Sequence, residues 1–98
     1  MFGLIGKMRA QPGRREALIE ILNASIGGMP GCLSYVIAKA EDDADAIWIT
    51  EVWDSEESHK ASLSLPQVQA AIAQAKPMIA GFDSQIRTLP VGGVGLTR

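Results

Sequence analysis

One cysteine and one histidine among 98 residues remove several chemistries at the outset. Cys32 has no partner for an intrachain disulfide, which fits a reducing compartment. A lone Cys and a lone His are also too few ligands for a structural zinc site. No apolar run reaches the roughly 18 residues of a membrane-crossing helix. Met1 to Arg9 mixes Gly, Lys and Arg without the apolar core and cleavage site of a secretory signal. These absences predict a cytoplasmic protein with no membrane partner. Nine Lys and Arg against eleven Asp and Glu leave a net charge of −2, and the cations are scattered, so the basic footprint of a nucleic-acid binder is missing. Gly92, Gly93 and Gly95 follow a strand-like run but open no helix, so they form no phosphate loop. A Gly-rich tail over 92–98, reaching over a partner subunit, explains them. Glu41, Asp42, Asp43 and Asp45 lack the alternation and closing glutamate of a calcium loop and read as a solvated hairpin.

What is present is apolar and patterned. Hydrophobic residues make up 47% of the chain and charged ones 20%, more apolar surface than a solvated monomer of this length needs, so part of it is expected to meet a partner. The length allows one core, over 1–91. Phe2, Leu4 and Met8 alternate with Gly3, Ile5 and Lys7 in a first strand, Phe2 to Arg9. Gly6 in that strand leaves room for something to approach the backbone. After Pro12 and Gly13, Leu18, Ile21, Leu22 and Ile26 recur at helical spacing, with Arg15, Glu16, Glu20 and Asn23 on the opposite face. Gly27, Gly28, Pro30 and Gly31 end the helix. A second strand covers Cys32 to Ala40 and a third Ala46 to Trp53, joined by the acidic hairpin. Asp54 or Ser55 caps a short helix with Glu56, Glu57 and Ser58 in its first turn. Another helical stretch starts near Pro66, strained at its end by Pro77. A fourth strand follows from Phe82 to Leu89.

The order predicts an α+β fold of the ferredoxin-like type, βαββαβ with a four-stranded antiparallel sheet. Its helices can cover only one face of the sheet, yet the third strand is apolar on both: Ile47, Ile49 and Trp53 point one way, Trp48 and Val52 the other. A homodimer packed through the open sheet face would bury the second patch against its own copy.

The segments Pro30–Lys39 (PGCLSYVIAK) and Ile47–Ser62 (IWITEVWDSEESHKAS), with Pro12-Gly13 before them, resemble the core of the antibiotic biosynthesis monooxygenase family. The marker is Glu51-x-Trp53 followed by an acidic helix start. The resemblance covers nearly the whole chain and implies a dimeric α/β barrel. Members of the family include cofactor-independent quinol or anthrone oxygenases, haem-degrading enzymes and an isomerase of a signalling sugar derivative. Many carry a histidine in a pattern such as Ala-His-x-x-Ser-Pro. Here Ala61-Ser62-Leu63-Ser64-Leu65-Pro66 puts Ser62 at that place, with His59 one turn earlier. Haem degraders also use a strand-one asparagine, whose place holds Gly6, so haem breakdown is disfavoured.

The resemblance implies a monooxygenase that uses molecular oxygen as co-substrate, with neither haem nor flavin, on a small aromatic or quinol-like compound. Such a site needs an apolar pocket, a polar group for the hydroxyl and a base. His59 is the only imidazole, a group that titrates near pH 6.5 and can take a phenolic proton, unless it is merely solvated on its helix. Trp53 can wall the pocket, fill the core, or do both. Glu51 lies among apolar neighbours, which is costly unless it is exposed or paired, as with Lys39 or Arg87 across the sheet; its functional reading is a catalytic group. Tyr35 and Ser62 offer hydroxyls for substrate binding. Arg9 and Arg87 could neutralise a developing anion or form surface ion pairs. Cys32 lacks a neighbouring base and reads as a small buried thiol. Two other functions are compatible with these residues: a non-redox isomerase of a small carbonyl compound, with Glu51 or His59 moving the proton, and a non-catalytic dimeric binding or stress protein.

Overall fold

A computed structural model describes residues 1–96. In chain order the elements are β1 (Phe2–Ala10), α1 (Arg15–Ser25), β2 (Cys32–Lys39), β3 (Ala46–Trp53), α2 (Glu56–Ser62), α3 (Pro66–Ala75), a 3₁₀ turn (Lys76–Met78) and β4 (Ile79–Thr88). The strands form one antiparallel sheet in the order β2-β3-β1-β4, so the ferredoxin-like plan is the fold of this chain.

Local signals explain most of the boundaries. Ser55 is extended, and its hydroxyl accepts a hydrogen bond from the Ser58 backbone N–H at 3.1 Å, capping α2 above Glu56 and Glu57 in the first turn. Ser55→Ala should therefore cost about 1 kcal/mol, a fall in Tm of about 4–8 °C. Thermal denaturation followed by circular dichroism measures it, and an unchanged midpoint would mean the cap contributes nothing. Pro66 takes the first turn of α3, where its missing N–H is no loss. Pro77 is absorbed into the 3₁₀ turn, and β4 then starts at Ile79 instead of Phe82. The earlier start is fixed by pairing, since Ile79 lies opposite Ala10 and the Gln11 N–H donates to the Met78 carbonyl at 2.8 Å. Gly31, at φ +83°, occupies a left-handed conformation, and a side chain there would collide with Ser58 and Asp54, so this glycine is what lets β2 start against α2.

Register sorts the side chains onto two faces. Leu4, Gly6 and Met8 stand opposite Glu51, Ile49 and Ile47, and Tyr35 and Ile37 stand opposite Glu51 and Ile49 from the other side. The helices cover this face. Its buried core comprises Ala10, Leu18, Ile47, Ile49 and Ala75, with a second cluster of Phe2, Leu4 and Trp53. The opposite face carries Ile5, Trp48, Val52, Val36 and Ile86, and the last two are 53% and 51% exposed. Beyond β4 the chain is irregular, with Val91 and Val94 fully exposed. The last two positions of the 92–98 tail, Thr97 and Arg98, lie outside the described residues. Among the described residues no helix is long and apolar enough to cross a membrane.

Candidate functional site

Between the sheet and the helices lies a cavity of about 880 Å³. Its walls are mostly apolar, from Leu22 on α1 and Ile26 just after it, Ile49 on β3, and Val68, Ala71 and Ile72 on α3. Phe82 and Leu63 stand at its rim as exposed apolar side chains, and sequence patterning had assigned neither a role. One group of polar side chains comprises Glu51, Trp53 and Tyr35 from the sheet with His59 and Ser62 from α2; Lys7, Ser25, Lys76, Ser84 and Gln85 line the cavity elsewhere.

Glu51 is the centre of this group. Residues two apart on a strand share a face, so Glu51 and Trp53 meet, and the Trp53 Nε1–H donates to Glu51 Oε1 at 3.0 Å. His59 Nε2 lies 3.9 Å from the same oxygen, beyond direct hydrogen-bond range but within reach of an ionic attraction. Both side chains are largely withdrawn from water, with 16% exposure for Glu51 and 21% for His59. Burial raises the Glu51 carboxyl above the ordinary glutamate range; the indole hydrogen bond and the His59 charge partly offset it. Lys39 and Arg87 pair elsewhere, Lys39 with Glu16 at 2.7 Å and Arg87 with Glu56 at 2.6 Å, so neither supplies the cross-sheet partner that was one expectation for Glu51.

Aromatic packing fixes the His59 ring. Trp53 meets it edge-on with centroids 5.5 Å apart, and Phe2 lies tilted against it at 5.5 Å. Phe2 was missed as part of the site because β1 and α2 are far apart in sequence. Ser62 is buried one turn on and also faces the cavity, but its hydroxyl donates to the His59 carbonyl at 2.6 Å. That proton is committed, so Ser62 braces the turn carrying His59, which corrects the expectation of a free donor to substrate. The Tyr35 phenol is held well above its usual range, first by burial and then by the Glu51 charge, and stays a neutral donor. Burial and Glu51 likewise raise the thiol of Cys32, which is half-buried and no nucleophile.

Arg9 corrects another expectation. It stands on the uncovered face, where its guanidinium bridges Asp43 and Asp83 at 2.7 Å each, and it does not line the cavity. It ties the β2–β3 hairpin to β4 instead of meeting a substrate there. Among the described residues no group of His, Cys, Asp or Glu side chains gathers as a metal site.

The arrangement suits proton transfer to or from a compact apolar ligand. An imidazolium formed at His59 would lie 3.9 Å from a buried carboxylate, in surroundings where that attraction is poorly screened.

A model of the antibiotic biosynthesis monooxygenase family matches residues 1–74. A crystal structure of a candidate antibiotic biosynthesis monooxygenase from Chloroflexus aurantiacus J-10-fl is 64% identical, covers 98% of each chain and superposes with a TM-score of 0.95. Two more distant structures share the fold at 20% identity. A candidate monooxygenase from Deinococcus radiodurans covers 100% of both chains at a TM-score of 0.78. Rv0793 from Mycobacterium tuberculosis covers 95% of this chain and 97% of its own at 0.79. No functionally curated protein matches the chain.

Proposed function

Because the chain belongs to the antibiotic biosynthesis monooxygenase family, we propose that it is a cofactor-independent monooxygenase of a small aromatic, quinol-like or anthrone-like compound, working as a homodimer through its open sheet face. The observation that carries this is the placing of His59, Glu51 and Trp53 together beside the apolar walls of the cavity. His59 takes the phenolic or enolisable proton, and Glu51 stabilises the imidazolium. The substrate carbanion then passes an electron to dioxygen, and the resulting radical pair combines to a peroxide. His59 returns its proton to that peroxide, which loses water to leave a new carbonyl, so one oxygen atom enters the product and the other leaves as water. Tyr35, a neutral donor across the sheet from Glu51, binds the substrate oxygen.

Oxygen uptake by purified protein over a panel of quinols and anthrones tests the proposal. Uptake above the uncatalysed rate that falls in Glu51→Gln and His59→Ala is expected. No uptake across the panel would sink it. A second function, proton transfer in a small carbonyl compound without oxygen, is favoured by the same Glu51–His59 pair and would appear as turnover with no oxygen consumed. Trp53, 1% exposed, is core, whereas the His59 side chain keeps 21% exposure and lines the cavity.

The buried carboxylate also has a stability signature. A carboxyl raised in the fold favours the folded state while it is protonated, below the unfolded glutamate value of about 4.3. That contribution is lost as the pH rises through the higher folded value. Glu51→Gln keeps an amide oxygen for the Trp53 N–H and removes the buried charge. The variant should thus melt above the wild type at pH 7, with the gap closing below about pH 4. Melting curves across that range decide it, and a gap independent of pH would contradict burial as the cause.

A further inference from the structure

Gly6 occupies the middle of β1, a central strand of the sheet, where glycine ordinarily weakens the structure. Gly3 and Gly31 have visible reasons. A side chain at Gly3 would strike the Thr88 hydroxyl and Pro90, and Gly31 has positive φ as well as crowding. Gly6 has neither: its φ is not positive, and the nearest atom to an added Cβ is the Ser84 carbonyl oxygen at 3.8 Å, an ordinary contact. No helix side chain comes within 4 Å of that Cβ position. Yet Gly6 lies on the helix-covered face, lines the cavity, and is only partly buried between the buried Leu4 and the half-buried Met8. Backbone geometry accepts an L residue there, and an added Cβ meets only an ordinary contact. What a larger residue would change is the cavity.

Resting on the proposed oxygenase function, we infer that Gly6 is a specificity-determining residue: its missing side chain opens a slot in the cavity floor that seats a planar, fused-ring substrate. The slot is bounded across the sheet by Ile49 on β3 and Gln85 on β4, the two residues paired with Gly6. Strands lie about 4.8 Å apart, so omitting one side chain from the row leaves a gap that admits the edge of a flat ring and excludes a puckered one. Glu51 and Ile49 lie on the same face of β3, which puts the Glu51 carboxyl within one ring system of the slot. A ring anchored at Gly6 would thereby present its hydroxyl toward Glu51 and His59.

Gly6→Ala and Gly6→Val test this, because a structural and a ligand-seating role move stability and binding in different directions. Both variants should melt at or above the wild-type midpoint, since either residue suits a strand better than glycine. Calorimetric titration with naphthol, a planar two-ring phenol, should show affinity lower by about tenfold in Gly6→Ala and about a hundredfold in Gly6→Val. The preference for naphthol over its saturated, puckered analogue decahydronaphthol should shrink in the same order. Melting several degrees below the wild type, or naphthol affinity unchanged in both variants, would overturn the inference, as would failure of the wild-type chain to bind naphthol at all. Oxygen uptake by the wild type is read separately, so an active enzyme indifferent to Gly6 refutes only the slot, whereas binding that depends on Gly6 without uptake refutes only the oxygenase.

Discussion

His59→Ala should lower turnover of a phenolic substrate by about 10²–10⁴-fold, the usual contribution of a positioned general base. The imidazole offers a basic nitrogen beside Glu51 in the cavity, whereas burial keeps the Tyr35 phenol protonated and Glu51 Oε1 accepts from the Trp53 indole. Removing it should leave substrate binding little altered, so the loss falls on kcat more than on KM. The variant's rate should recover as the pH rises toward the substrate's own pKa, where the phenolate forms without help. A merely structural loss would not recover in this way. Steady-state oxygen uptake across the pH range, with Glu51→Gln beside it, makes the comparison. Equal rates for wild type and His59→Ala at neutral pH would remove His59 from the mechanism.

Trp53→Ala should be among the most damaging substitutions to the fold, costing about 3–5 kcal/mol. Trp53 is 1% exposed, the largest of the fully buried side chains, and packs with Phe2 and Leu4 while its edge fixes the His59 ring. Truncation opens a cavity in that cluster and leaves Glu51 buried without its indole donor, and both effects act in the same direction. A loss of that size lowers Tm by at least about 12 °C in a domain of this length. Trp53→Phe separates the two contributions: it retains most of the packing and forfeits the hydrogen bond, for a smaller cost of about 1–2 kcal/mol. Chemical denaturation of both variants measures the costs. Near-wild-type stability of Trp53→Ala would mean that Trp53 serves as a loosely held pocket wall and not as core.

The two faces of β3 were legible because alternation has a period of two, and Ile47, Ile49 and Trp53 fall opposite Trp48 and Val52 by parity alone. The same parity places Arg9 with Ile5 on the uncovered face, a placement available in the sequence that was outweighed by the charge of Arg9. The start of β4 was not legible, because Pro77 could end a helix in several ways and only the pairing of Ile79 with Ala10 selects one. Glu51 was recognised as costly, but its true neighbours depend on how α2 docks. Nothing local to β3 says that a histidine from the next helix approaches within 3.9 Å. The commitment of the Ser62 hydroxyl to its own helix depends on a rotamer that sequence does not reveal.

Turnover of an anthrone under isotopically labelled dioxygen, read by mass spectrometry of the product, tests the oxygenase assignment most directly. If His59 and Glu51 generate a carbanion that dioxygen attacks in the apolar cavity, each product molecule gains one labelled oxygen, and His59→Ala abolishes the enzymatic share of that label. Enzymatic turnover to a product bearing no label would contradict the account and make the Glu51–His59 pair a proton shuttle.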